Sequence, residues 1–361
     1  MSEKRRILLR TVPFLIIGLL LFVGYLVLFV DISEMVGVIQ RANMLVYSLA
    51  ALTVVLSTFL FALSWQYLLL PLDVKISLRK NFAFVWVGVF ADLLIPAESV
   101  SGEITRAYLM SKEPDVNTGK VVASLVSQRI LGTVTTTATL FICFLGLVTV
   151  NYSMSFLMLE VLVLMSIASA IAFGFLLAVC VKEKWTERLV IALMRFVERV
   201  SKGRFKLESF QNKIIEALRA FYESLRTYGS KPIRLLPAIL FNILSWLSSI
   251  VIVFLVFVSI GYLEPNISTL FLKVAIVYTL IVAIKSIPVG VPMEVGLPDI
   301  IMTTLFAFFG IPADPIGAAA TVLTRILTVW LRFSIGFVAL QWVGVKSLME
   351  SGVFGKAKDT V

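Results

Sequence analysis

The sequence predicts an all-α polytopic membrane protein with about seven or eight transmembrane helices, two re-entrant hairpins and an internal two-fold repeat. Three observations support this fold class. Hydrophobic residues make up 59% of the 361-residue chain and charged residues only 15%, against about 25% charged in soluble domains. Several apolar runs reach the roughly 20 residues that a helix needs to cross a bilayer. Two distant stretches also repeat one pattern of residues.

The repeated pattern is a proline break, an acidic loop and a long helix that carries an arginine. Its members are Pro96, Gly102, Glu103 and Arg129 in the first copy and Pro288, Glu294 and Arg325 in the second. Interrupted hydrophobic segments at matching positions of two halves indicate a substrate site in membrane proteins. Because an even number of predicted spans separates the copies, with the apolar run at 271–287 counted as one span, we expect a parallel repeat with its axis along the membrane normal.

Each predicted half contains one hairpin. The first half covers residues 1–181 and begins with a retained span. It contains a re-entrant hairpin at 81–111, where the apolar run is short for a full span. The second half covers 235–345 and contains a re-entrant hairpin at 288–315, and a polar tail follows at 346–361.

A strongly basic segment, residues 182–234, lies between the halves and has apolar stripes at helical spacing. This pattern predicts two cytoplasmic amphipathic helices on the membrane surface. The alternative is a surface that binds a partner enzyme or a second copy of the chain. Because Lys and Arg gather on the cytoplasmic side, the basic N-terminal residues predict a cytoplasmic N-terminus in a multi-pass cell-membrane protein.

The composition excludes several classes of function. The chain has no histidine, which removes His-based acid–base catalysis, most zinc catalysis and haem ligation. Cys143 and Cys180 both lie in apolar runs and are expected to be small core residues. We therefore expect no enzyme activity, no catalytic residue, no cofactor and no metal. The net charge of +10 indicates contact with anionic lipid headgroups rather than with nucleic acid.

Charged residues near the repeated pattern are the predicted substrate-binding residues, because an ion inside the bilayer is costly and usually functional. They are Glu98, Glu103, Arg106, Arg129, Glu294, Asp299 and Arg325. Arginine can hold a phosphate through two parallel hydrogen bonds. The alternative is structural: Glu103 pairs with Arg129, and Glu294 with Arg325, only to hold the hairpins.

This layout resembles the transmembrane, flippase-like region of lysylphosphatidylglycerol synthases and their related integral membrane proteins. The family's proline-led phrase, which ends in G-E-x-x-R, is similar to Pro96 through Gly102-Glu103 to Arg106, and its last helix carries an arginine like Arg325. The chain departs from the pattern at Val289, where a glycine is expected. We expect no synthase domain after the last predicted span. The resemblance therefore implies movement of a phospholipid or a polyprenyl-linked lipid between leaflets, without aminoacyl transfer.

Two other functions stay open on the residues alone. Glu103, Glu294 and Asp299 could carry protons in an ion- or proton-coupled transporter of a small solute. Alternatively, the chain is a non-catalytic membrane partner of a lipid-modifying enzyme or glycosyltransferase. The sequence lacks a G-x-x-x-x-G-K-[ST] phosphate loop, so we do not expect it to hydrolyse ATP directly.

Overall fold

Every regular element that the structure describes is helical. This computed structural model describes residues 31–95, 100–150, 155–200, 208–230, 232–285 and 296–344, with Gly24, Val27, Leu28 and Tyr152. Six of its helical segments are long and apolar enough to cross a membrane. The all-α polytopic class predicted from composition is therefore confirmed. The predicted first span, apart from three residues, and the predicted polar tail lie outside the described residues.

The helices fall into two groups of similar order, separated by a middle segment. The first group is α1 (Ile32–Gln40), α2 (Met44–Leu69), α3 (Leu78–Leu94), α4 (Val100–Ser111) and α5 (Thr118–Thr149). The middle segment is α6 (Phe156–Val181), α7 (Glu183–Val200) and α8 (Glu208–Ser230). The second group is α9 (Leu236–Ser259), α10 (Ile267–Lys285), α11 (Leu297–Phe308), α12 (Ala318–Arg325) and α13 (Arg332–Val343). A π-helical turn, Ile326–Leu331, joins α12 to α13.

Polar side chains fix where several of these helices begin. The Asn43 side-chain oxygen accepts a hydrogen bond of 3.0 Å from the Leu45 N–H at the start of α2. Asn117 accepts one of 2.8 Å from the Gly119 N–H at the start of α5. Each cap satisfies a backbone donor that has no partner within its helix.

Helices α2 and α9 form an antiparallel pair at the centre of the molecule. At one end the Asn43 N–H donates to the Ser259 carbonyl oxygen at 2.7 Å. At the other end the Ser64 hydroxyl donates to the Ala238 carbonyl oxygen at 2.9 Å. The start of α2 therefore lies beside the end of α9, and the end of α2 beside the start of α9. Small polar residues of this kind let membrane helices approach closely.

The two groups are related as an inverted repeat. Each has a long helix, a pair of shorter helices and a second long stretch: α2 to α5, and α9 to α13. The contacts between the groups are reciprocal, since α3 packs against α13 and its counterpart α10 packs against α5. With α2 and α9 antiparallel, the axis that relates the groups is perpendicular to these helices. The prediction of a parallel repeat was wrong because the apolar run at 271–287 was counted as a full span, whereas it forms the first arm of a hairpin.

Each hairpin returns to the end of the molecule from which it starts. At the base of the first hairpin, Lys80 at the start of α3 forms an ion pair of 2.8 Å with Glu113 just after α4. The second hairpin consists of α10 and α11. It begins and ends at the level of Tyr152, whose ring contacts Lys273 on α10 and whose hydroxyl donates to the Phe309 carbonyl oxygen at 2.9 Å. It therefore starts earlier in the chain than the predicted 288–315.

Two opposite ends of the bundle differ in charge. The end that we call the basic face carries α7, α8 and the loop after α2; there the Tyr228 hydroxyl donates to the Leu68 carbonyl oxygen at 2.5 Å. Leu68 and Tyr228 belong to one hydrophobic cluster, which also contains Leu340 near the end of α13. The last described helix therefore also ends at the basic face. The opposite face carries α1 and its acidic contacts, including a hydrogen bond of 3.0 Å from the Asp31 N–H to Asp314.

Candidate functional site

A cavity of about 890 Å³ lies among helices from both halves. The described charged residues that line it are Asp92, Glu103, Arg106, Arg129 and Arg332. Aromatic and aliphatic side chains form much of the remaining wall, among them Phe61, Val89, Leu164, Phe175, Trp246 and Tyr278. An apolar wall with a few convergent polar groups is typical of a ligand site.

The hairpin of α3 and α4 positions the acidic side of this cavity. Asp92 on α3 accepts hydrogen bonds from the Gly102 N–H at 2.6 Å and from the Ser101 hydroxyl at 2.8 Å. It thereby caps the start of α4, where a negative charge is favoured. A Cβ atom on Gly102 would lie 2.6 Å from the Gly88 carbonyl oxygen. Only glycine allows the two arms to cross this closely, which explains the glycine before Glu103 in the sequence pattern.

Arg129 and Glu103 are paired inside the cavity. Arg129 on α5 donates to Glu103 on α4 at 2.8 Å, and their side chains are 33% and 24% exposed. The sequence allowed this pairing as the structural alternative, and the structure contains it. The pair joins the hairpin to the following long helix while both groups still face the cavity. It can therefore serve to hold the hairpin and to meet a ligand.

Arg106 is held by aromatic rings and an amide. Its guanidinium lies 5.2 Å from the centre of the Phe61 ring and 5.0 Å from that of Trp65. It donates to the Gln128 side-chain oxygen at 2.9 Å, and Gln128 in turn donates to the Phe61 carbonyl oxygen at 3.0 Å. No carboxylate among the described residues forms an ion pair with it. Its positive charge thus adds to the field of the cavity.

A second carboxylate–arginine pair occupies the equivalent place in the other half. Arg325 forms an ion pair of 2.6 Å with Asp299, and the side chains are 13% and 2% exposed. Asp299 also accepts a hydrogen bond of 2.6 Å from the Gly296 N–H at the start of α11. In both pairs the arginine follows the carboxylate by 26 residues. Asp299 is thus a partner of Arg325 in the role that the sequence pattern assigned to Glu294.

The predicted site residues therefore fall into three groups. Glu103, Arg106 and Arg129 meet at the cavity. Asp299 and Arg325 lie together elsewhere and are not among the described residues that line it. Of the two repeat arginines that were predicted to bind substrate, Arg129 lines this cavity and Arg325 does not. The remaining two, Glu98 and Glu294, lie outside the described residues.

Sequence reasoning missed Arg332 as a residue of the site. It is not among the predicted substrate-binding residues, but it lines the cavity. The π-helical turn just before it changes the face on which it emerges, and such turns are frequent at functional sites. A regular helical projection of the sequence does not reveal that turn.

Comparison with known proteins extends over both halves and the cavity between them. The sequence model of the lysylphosphatidylglycerol synthase transmembrane region matches residues 15–336. The chain belongs to this family. The resemblance predicted from the Pro96 to Arg106 phrase and the layout around it is thereby confirmed. The matched range includes both ion pairs and Arg332.

Three archaeal members of the lysylphosphatidylglycerol synthase-like group are similar over most of their length. A UPF0104 membrane protein of Pyrococcus horikoshii is 23% identical over 328 residues, which cover 89% of this chain and 94% of that protein. One of Methanocaldococcus jannaschii is 24% identical over 325 residues, or 89% and 91% of the two chains. One of Methanothermobacter thermautotrophicus is 24% identical over 320 residues, or 88% and 91%. With the six long apolar helices, these matches support a multi-pass membrane protein.

Proposed function

We propose that the protein moves a lipid between the two leaflets of a cell membrane. The observation that carries this proposal is the cavity, which joins three arginines to an apolar wall inside a bundle of membrane-spanning helices. A lipid has the matching division into a polar headgroup and apolar chains. The headgroup would meet Arg106, Arg129 and Arg332, and the chains would lie along side chains such as Leu164 and Phe175.

The inverted repeat supports a transport role. In transporters with inverted repeats, the substrate site lies where the halves meet, and rocking of one half against the other exposes it to alternate sides. Here the cavity takes lining residues from α2 to α5 and also from α9, α10 and α13. The excess of positive charge on α7, α8 and the neighbouring loops favours the basic face as cytoplasmic. A cytoplasmic N-terminus stays a proposal that rests on the basic N-terminal residues of the sequence.

A lipid substrate is favoured over a solute that is transported together with protons, because the described carboxylates that could carry protons are paired with arginines. Glu103 and Asp299 each form an ion pair with an arginine, so both carboxylates have a structural role that needs no proton transfer. A large apolar wall also suits acyl chains better than a small polar solute.

The test is exchange of phospholipid between leaflets in vesicles that contain the purified protein. We expect faster exchange than in protein-free vesicles. Gly132→Trp should abolish the acceleration, because Gly132 lines the cavity and the space beside it is open to a new side chain. The matched control is Gly174→Trp, where the space is also open but the residue is not among those lining the cavity. Exchange no faster than in empty vesicles would refute the proposal, as would full activity of Gly132→Trp.

A further inference from the structure

We propose that α7 binds the anionic surface of the bilayer at the basic face and that Trp185 transmits this contact to the wall of the cavity. The partner is the headgroup layer of the membrane in which the protein sits, not a lipid inside the cavity. The inference deepens the proposed function and rests on it only for the role of the wall that α7 holds. Three observations carry it: the exposed face of α7, its depth beside α6, and its contact with a residue that lines the cavity.

The exposed face of α7 combines large apolar and basic side chains. Trp185 and Leu189, which are about one helical turn apart, are each 40% exposed. Lys184 and Arg188 lie beside them in the chain and are exposed as well. Apolar side chains flanked by basic ones are typical of a helix that lies in the headgroup region of an anionic membrane, and tryptophan is enriched at that depth.

The carboxylates in the first two turns of α7 are less exposed than these basic residues. Glu183 and Glu187 are both only partly exposed. Glu183 also forms an ion pair of 3.0 Å with Arg226 on α8. Positive charge is therefore concentrated beside the exposed apolar side chains, where it complements an anionic surface.

The depth of Trp185 favours the bilayer over a soluble partner protein. Its ring packs edge-on against Phe175 of α6 with the ring centres 6.0 Å apart. Phe175 precedes Val181, the last residue of α6, by about 9 Å along the helix axis. Because α6 has 26 residues, or about 39 Å, and the hydrocarbon core is about 30 Å thick, this position lies near the boundary of the core. Lipid headgroups already surround a side chain at that depth, whereas a soluble protein would have to displace them.

Trp185 also connects α7 to the cavity. Phe175, which it contacts, lines the cavity together with Leu164 of the same helix. The start of α7 is fixed to the end of α6, because the Thr186 hydroxyl donates to the Val179 carbonyl oxygen at 2.9 Å. Helix α6 itself is sparsely buried by the rest of the described chain. Attachment of α7 to the surface therefore restrains the end of α6 and the part of the wall that Phe175 forms.

The test measures the position of the end of α6 separately from transport, by electron paramagnetic resonance on the whole chain in nanodiscs. Nitroxide labels are attached at Gly174→Cys on α6 and Gly229→Cys on α8, in a background without Cys143 and Cys180. The space beside both glycines is open, and α8 is a fixed reference because it packs against α5. We expect a narrower distribution of distances between the labels in discs that contain phosphatidylglycerol than in discs of phosphatidylcholine alone. Molar salt should broaden it again, because salt screens the attraction.

Two substitutions separate attachment from its transmission to the wall. The double variant Lys184→Gln with Arg188→Gln should lose the response to phosphatidylglycerol, since each basic residue near an anionic surface favours attachment about fivefold. Trp185→Ala should lose it as well, although the basic residues remain, because the contact with Phe175 is gone. Trp185→Phe keeps a ring there and should retain the response.

The matched control is Arg219→Gln on α8. Arg219 is exposed like Arg188, but the residues one turn away on its helix, Glu216 and Glu223, are exposed carboxylates. This variant should respond to phosphatidylglycerol like the parent protein. Loss of the response in the control would show that total charge matters rather than α7, and would overturn the inference.

The remaining outcomes are equally decisive. Identical distributions in both kinds of disc would overturn the inference, and a full response of Trp185→Ala would overturn the link to the cavity. A single label at Leu189→Cys that a water-soluble nickel reagent reaches more readily than oxygen does, in anionic discs, would place this face in water and assign it to an acidic partner protein. A response in protein that moves no lipid would retain the inference and refute the flippase.

Discussion

The two carboxylate–arginine pairs have equivalent places in the chain but different surroundings. Glu103–Arg129 faces the cavity, with the side chains 24% and 33% exposed, whereas Asp299–Arg325 is 2% and 13% exposed. A partly solvated pair contributes little to stability because water and salt screen it. Removing one member of a buried pair leaves an uncompensated charge. Equivalent residues in the two halves should therefore respond differently to the same substitution.

Asp299→Ala should lower the free energy of unfolding by about 3–5 kcal/mol, because it removes one member of a buried ion pair. Glu103→Ala is the matched substitution in the other half and should cost about 1 kcal/mol or less, since Arg129 can reach water in the cavity. Thermal unfolding of the purified variants in one detergent measures both. Equal losses would show that the difference in burial has no energetic consequence.

Sequence reasoning succeeded with residues whose spacing repeats and failed where local backbone decides. Glu103 and Arg129 could be paired from the pattern alone. For Arg325 the pattern offered Glu294, which lies outside the described residues, and it did not offer Asp299, the carboxylate in the first turn of α11 that pairs with the arginine. The position of that first turn depends on where the helix begins, which hydrophobic periodicity locates poorly. Arg332 was missed for a related reason, because the π-helical turn before it sets the side of the helix from which it projects.

Among the helices, the first arm of each hairpin packs against a long helical segment of the other half, and in both contacts that segment has a glycine at the point of closest approach. Gly336 on α13 lies against α3, and Gly146 on α5 lies against α10. The obstacles differ in kind. An added Cβ at Gly336 would meet the Trp86 carbonyl oxygen at 2.9 Å, which is backbone, whereas one at Gly146 would meet the end of the Leu272 side chain at 2.8 Å. A side-chain end can rotate away, but a carbonyl inside a helix cannot.

Gly336→Ala should therefore destabilise the protein by about 1–3 kcal/mol, the usual cost of forcing extra atoms into a close contact. Gly146→Ala is the control and should be close to neutral, because Leu272 can change rotamer and alanine favours the helix. The measurement is the unfolding temperature of each variant in the same detergent. A loss at Gly146→Ala as large as that at Gly336→Ala would contradict this view of the two interfaces.

The length of an apolar run does not distinguish a spanning helix from a hairpin arm. The run in α10 is long enough to pass as a span, and sequence reasoning counted it as one. Its counterpart α3 was short enough to be recognised as an arm. Only the contact of Tyr152 with both Lys273 and the Phe309 carbonyl shows that α10 and α11 start and finish at one end of the bundle. Such tertiary information is absent from hydropathy.

For the whole molecule, the inverted relation of the halves gives a direct test. Cysteines at Ser64 and Ala238, in a background without Cys143 and Cys180, should form a disulfide under mild oxidation, because these residues are in hydrogen-bond contact. A pair at Ser64 and Ser259 should not, since Ser259 contacts Asn43 at the opposite end of α2. Mass spectrometry of linked peptides distinguishes the two. Crosslinking only in the second pair would contradict the inverted repeat and support the parallel one.

The position of α6 has a consequence for how the chain is inserted during synthesis. Each repeat unit contains two crossing helices and a hairpin that returns, so it begins and ends on one side. Two such units joined directly would insert in the same orientation. Within the described chain, α6 is the one apolar crossing between them, and it delivers α9 to the side opposite to that where α2 began. Only 7% of its apolar window is buried, so α6 can enter the bilayer with little support from neighbouring helices, and the unit that follows it then inserts in the reversed orientation.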